Sequence, residues 1–186
     1  MRTKLPSSSP SKQEFAGVFR LFGRISFWAH LLLGVVSGIL LLLVMFSRNF
    51  SEINSAFIGF GIFLAVCGVV AVGFRVFWAY RYTRLAKLLQ SPDKNLHPKK
   101  EEVIKILRIG LITSLLGIGL GFLASEGAVI AVLGKTLAQP QGVAVYNPET
   151  VVRSIDLLLI LADVTIIGAH FLGAINSLGL VEWLDN

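Results

Sequence analysis

Four long apolar runs, at about 25–46, 56–80, 109–131 and 154–181, are separated by short polar breaks. Each approaches or exceeds the ~18–20 residues that cross a bilayer core as an α-helix. The breaks carry turn chemistry: 48–55 is polar, Ser91-Pro92-Asp93 interrupts the second run, and Gln139-Pro140-Gln141-Gly142 with Asn147-Pro148 precedes the fourth. The pattern predicts an all-α integral membrane four-helix bundle. Residues 1–24 form an N-terminal tail, and 25–186 the transmembrane domain.

At the run boundaries, Phe15, Val18, Phe19 and Phe22 are spaced i, i+3, i+4, i+7 with Arg20 and Arg24 between them. They suit either a short interfacial helix or an extension of the first span. The second helix is expected to continue past its span through Arg81, Arg84 and Lys87. Pro98 suits the first turn of a third helix, with Glu101 and Glu102 at its positive end. Residues 127–137 either continue that helix or lie in the interface, and Thr150 or Ser154 can cap the fourth. No cleavable signal sequence is evident.

Composition supports the membrane reading. Of 186 residues, 54% are hydrophobic and 15% charged, and the mean hydropathy of +0.74 is too high for a soluble surface. The lone Cys67 precludes an internal disulfide. The net charge of +6 is unevenly placed. Arg2, Lys4, Lys12, Arg20 and Arg24 precede span one; Arg81, Arg84, Lys87, Lys94, Lys99, Lys100, Lys105 and Arg108 lie between spans two and three. The first and third connections hold only Arg48, Lys135 and Arg153. That bias places both termini on the cytoplasmic side and offers the charge to a membrane surface, with no nucleic-acid role. Trp28, Trp78 and Trp183 then anchor the inner interface, and Arg75, near the end of its span, can snorkel to the headgroups, so its place in the span does not by itself make it functional.

The polar residues inside the runs are the candidate chemistry. Asp156, Asp163, His170 and Ser177 recur every seven residues, which keeps them on one helical stripe. With Glu126 they are candidate groups of an ion or proton path, carboxylates leading to a mid-membrane imidazole. The alternative is a packed stripe hydrogen-bonded to Thr113, Ser114 or Ser125. Ala169, Gly173 and Ser177, with Gly34/Gly38 and Gly117/Gly121, form small-xxx-small pairs suited to close helix packing. His30 reads as an interfacial, hydrogen-bonded histidine. No motif for enzymatic catalysis is found, and no tightly bound cofactor is expected.

Several stretches carry a resemblance: RLFGRISFWAHLLL from Arg20, FWAYRYTRLAKLLQSPD from Phe77, ILRIGLITSLLGIGLGFLASEGAVIAVLGKTL from Ile106, and Asp156 to Leu178 with its His-Phe-Leu-Gly. Together they resemble the cyanobacterial and plastid membrane proteins related to the chloroplast inner-envelope iron permease, also described as a protein-translocon subunit. The resemblance implies four spans, a cyanobacterial plasma or thylakoid membrane, and a role in iron transport or protein translocation. Asp156 and His170 match the family pattern, whereas Leu161, Asp163 and Thr165 depart from the Gln, Ser and Asn expected there. The expected function is a permease for a divalent ion, iron or manganese, acting as a homo-oligomer in the lipid bilayer. The alternative is a translocon or assembly subunit with membrane-protein partners.

Overall fold

A computed structural model of the chain describes residues 12–47, 56–91, 97–138 and 151–185. Four helices account for nearly all of them: α1 (Lys12–Met45), α2 (Ala56–Leu89), α3 (Lys100–Leu137) and α4 (Ser154–Asp185). No strand occurs among the described residues. Each helix contains a segment long and apolar enough to cross a membrane. The tail before Lys12, the breaks at 48–55 and 139–150, and Thr150 lie outside the described residues.

The helices outrun the bilayer. The 38 residues of α3 extend roughly 57 Å at the standard rise, against a hydrocarbon core of ~30 Å. The sequence alternatives at three ends resolve accordingly. Phe19 and Phe22 belong to one continuous α1, so there is no separate interfacial helix. Residues 127–137 continue α3, and α2 runs through Arg81, Arg84 and Lys87 to Leu89. Lys99 is the N-cap of α3 and makes no side-chain capping bond. The acidic pair Glu101 and Glu102 stands in that first turn, where the helix dipole favours it. Ser154 begins α4.

Neighbouring helices pack in the order α1–α2–α3–α4 and back to α1, and α2 also meets α4 across the diagonal. Two apolar clusters mark the ends of this up-down bundle. Phe19, Tyr82, Leu107 and Leu180 share one cluster, which places the start of α1 and the end of α4 at the same end. Leu41, Ile62, Ala128 and Ile155 meet in the other.

A seven-residue period runs through the buried faces. In α1 it is Ala16, Gly23, His30, Ser37 and Val44; in α2, Gly68, Arg75 and Tyr82; in α3, Val103, Gly110, Gly117 and Ala124; in α4, Asp163, His170 and Ser177. A repeat of seven keeps a seam facing its partner only if helices wind gently about each other, as in left-handed coiled-coil packing. Small residues dominate these seams because without a water-driven hydrophobic effect, membrane helices associate by close approach. The large apolar residues, such as Val35, Leu116, Phe122 and Leu161, point outward. That inside-out distribution suits a lipid solvent.

A candidate functional site in the bundle core

The stripe on α4 splits into an end and a core. Asp156 lies at the first turn of α4, where both carboxylate oxygens accept bonds from Lys135 Nζ at 2.7 Å. It also accepts from the Arg153 backbone N–H at 2.9 Å. This half-buried ion pair ties the end of α3 to the start of α4. Glu126 is exposed on α3 rather than joined to the stripe.

Asp163, His170 and Ser177 are fully buried. Both oxygens of Asp163 lack a hydrogen-bond partner among the described residues. One turn pair further along, His170 Nε2 donates to the Gly68 carbonyl of α2 at 3.3 Å, leaving Nδ1 unpartnered. The imidazole lies flat over Gly117 of α3, where any Cβ would collide with the ring. Gly121 is likewise a contact point, a Cβ there standing 2.9 Å from Ile167 and 3.5 Å from the Asp163 carbonyl. The pair Gly117/Gly121 therefore seats α4, as its spacing predicts. Ala169 is buried beside it. A Cβ at Gly34 would stand 3.0 Å from Val72 Cγ1 of α2, whereas one at Gly38 would have no heavy atom within 4 Å and marks no close approach.

For Arg75 the structure decides between snorkelling and burial. Instead of snorkelling, its side chain is completely buried. Nη2 donates to the Gly173 carbonyl at 3.0 Å and Nη1 to Tyr82 Oη at 3.3 Å, while Tyr82 Oη meets Ser177 Oγ at 3.3 Å. The guanidinium reaches in because Gly110 leaves room for it. Among the described residues no carboxylate pairs with it. Burial lets the guanidinium donate to the Gly173 carbonyl and Tyr82 Oη, two bonds that snorkelling would break.

His30 is also corrected: it is buried, not interfacial. Its Nδ1 donates to the Ser26 carbonyl at 2.6 Å, and its Nε2 points into the core without a partner. Arg75 lies within electrostatic reach of both His30 and His170. Of the tryptophans, Trp28 is exposed, but Trp78 is buried and donates from Nε1 to the Ile106 carbonyl at 2.8 Å. Trp183 packs against the same end cluster.

The polar core thus draws on all four helices: His30, Arg75, Ser114 and the α4 stripe. The expected bonds from that stripe to Thr113 and Ser114 are not formed. Thr113 donates to its own helix at Ile109, and Ser114 Oγ has no partner. No three His, Cys, Asp or Glu side chains come together as a metal-holding group among the described residues. Arg75 and His30 lie on the seven-residue periods of α2 and α1, the signal in the sequence that marks both as buried, whereas Ser114 lies off the α3 period of Val103, Gly110, Gly117 and Ala124.

The family described as "Protein of unknown function (DUF3611)" matches residues 9–185. The chain belongs to this family. It is also 30% identical to "Protein TIC 21, chloroplastic" of Arabidopsis thaliana over 189 residues, covering 97% of the chain and 61% of that relative. The chain therefore spans about three fifths of the relative's length. No solved structure matches it. The plastid relationship expected from the quoted stretches is thereby established for this DUF3611 member.

Proposed function

We propose that the chain is a permease-like protein for a divalent metal ion, iron(II) first, described here in an occluded state. One observation carries this reading. A buried carboxylate with both oxygens unpartnered and an imidazole with a free Nδ1 occupy one face of α4, inside an apolar bundle. Each unpartnered polar group costs on the order of 1–3 kcal/mol, more for a charge, so packing alone disfavours them. Carboxylate oxygen with imidazole nitrogen suits a borderline divalent ion.

Asp163 and His170 are ~10 Å apart along the axis, too far to share one ion. They act as successive stations, each completed by backbone or water once α3 and α4 part at Gly117 and Gly121. Arg75 limits how far a cation advances past His170, because a fixed positive charge in a pore repels it. Passage therefore includes a displacement of the guanidinium. The protein is not an enzyme in this reading, and it resides in a cyanobacterial membrane with both termini cytoplasmic.

Proteoliposomes containing the full chain are expected to accumulate iron(II) or manganese(II), and His170→Ala with Asp163→Asn to abolish uptake. Uptake equal to wild type in the double variant would refute the proposal. A second reading, a non-transporting translocon or assembly subunit, is favoured by the closed packing around Arg75. It predicts stable co-purification with other membrane proteins and no uptake.

A further inference from the structure

The outer face of α3 changes character at Arg108. From Ile109 to Ser125 the helix carries no charged residue, whereas Glu101, Glu102, Lys105 and Arg108 crowd the stretch before it. Arg108 therefore marks where α3 enters hydrocarbon, at the end of the bundle that holds the cluster of Phe19, Tyr82, Leu107 and Leu180. A groove of about 370 Å³ lies at this boundary, lined by Glu101, Ile104, Lys105, Arg108, Ile109 and Ile112. Lys105 and Arg108, one turn apart on the same face, are both exposed. Neither makes a hydrogen bond or ion pair among the described residues. The exposed Ile112 and Leu116 continue the apolar part of the groove into the membrane.

Cations at the hydrocarbon edge, followed by an apolar trough, match the order of groups in a phospholipid. Its phosphate falls level with Lys105 and Arg108, which are ~4.5 Å apart along the axis. One leaflet contributes half of the ~30 Å core, so a chain starting at Arg108 runs beside about ten further residues of α3, past Ile112 and Leu116. The charge decides the kind of lipid. Basic side chains near a membrane surface favour an anionic head group, whereas a zwitterionic head group brings a cation that they repel. Glu101 stands ~10 Å below Arg108 along the helix, outside the phosphate layer. On the neighbouring helix α2, Arg81 adds a further positive charge. Its guanidinium lies 4.9 Å over the Trp78 ring, and Trp78 is bonded to the Ile106 carbonyl next to Lys105. That stack keeps Arg81 on the α3 side of α2.

We propose that Lys105, Arg108 and the isoleucine-lined groove of α3 bind one anionic phospholipid, phosphatidylglycerol being the simplest. The phosphate oxygens accept from the Arg108 guanidinium and Lys105 Nζ, and Arg81 strengthens the local field. One acyl chain lies over Ile109, Ile112 and Leu116. The site is on the outside of the bundle and makes no use of Asp163 or His170, so it stands whichever solute the protein moves.

The test uses the full chain in a neutral detergent. Native mass spectrometry counts bound lipid while phosphatidylglycerol or phosphatidylcholine is titrated in. The first phosphatidylglycerol is expected to bind at least about tenfold more tightly than phosphatidylcholine. Lys105→Gln and Arg108→Gln are each expected to weaken it about fivefold, as one basic residue at a membrane surface predicts. Arg24→Gln removes the same charge from an exposed position on α1, which packs on α2 and α4, and should leave the affinity unchanged. All three side chains are exposed, and a retained elution volume establishes that each variant is folded. Glycerol phosphate, the head group without its chains, should not displace the lipid at equal concentration. Equal affinity for the two lipids, an equal loss in Arg24→Gln, an unchanged affinity in both groove variants, or displacement by glycerol phosphate would overturn the proposal.

Discussion

The contact between Gly117 and His170 offers the sharpest test of the packing. In Gly117→Ala the new methyl would overlap the imidazole of His170, and carbon needs about 3.5 Å from a neighbouring heavy atom. The ring can swing clear only by leaving the Gly68 carbonyl, so the substitution costs either that hydrogen bond or the close approach of α3 to α4. Overpacking of this kind costs typically ~1–3 kcal/mol. The same substitution gains up to about 1 kcal/mol in helix propensity, which the right control isolates. Gly119, two residues on, faces outward with nothing within 4 Å of its Cβ. Gly119→Ala should therefore be neutral or stabilising, and because both variants gain the same propensity, they should differ by the overpacking cost alone, ~1–3 kcal/mol.

Equilibrium unfolding in mixed micelles, read by the fluorescence of the three tryptophans, measures that difference. A double-mutant cycle completes the argument. His170→Ala removes the obstacle, so Gly117→Ala in that background should lose most of its penalty, a coupling of at least ~1 kcal/mol. If the two glycine variants unfold within ~0.5 kcal/mol of each other, or the cycle is additive, the close approach of α3 to α4 is not as described.

Other substitutions probe the remaining assignments. Asp163→Asn should unfold no more readily than wild type, because it removes a buried charge without a partner, yet it should lose metal uptake; unfolding assays beside uptake assays would reveal the opposite pattern. Glu126→Gln should leave uptake within about twofold, since its side chain is exposed and remote from the stripe; a larger loss would return Glu126 to the path. Lys135→Ala should cost no more than ~1 kcal/mol, with that loss shrinking at high salt, as for a part-exposed ion pair. Trp78→Phe should cost ~1 kcal/mol or more through the lost bond to Ile106, and an unchanged unfolding midpoint would contradict its burial.

The sequence by itself determined the helix number, their antiparallel order and the break positions, because spanning length and turn residues are local properties. It determined that α4 carries a buried polar stripe, since a period of seven on a helix leaves little choice of face. It also supplied the family, through residues distributed along the whole chain. It did not determine which polar groups meet. Arg75 sits near a helix end, where snorkelling and burial have similar local signatures; only the gap left by Gly110 and the carbonyl of Gly173 decided for burial. His30 was legible as a polar residue in α1, but its convergence with Arg75 and Ser114 depends on the relative rotation of three helices. Asp156 left the stripe for the same reason in reverse, because Lys135 on another helix lay within reach. Spacing along one helix fixes a face, and the identity of what that face touches is a property of the packed bundle.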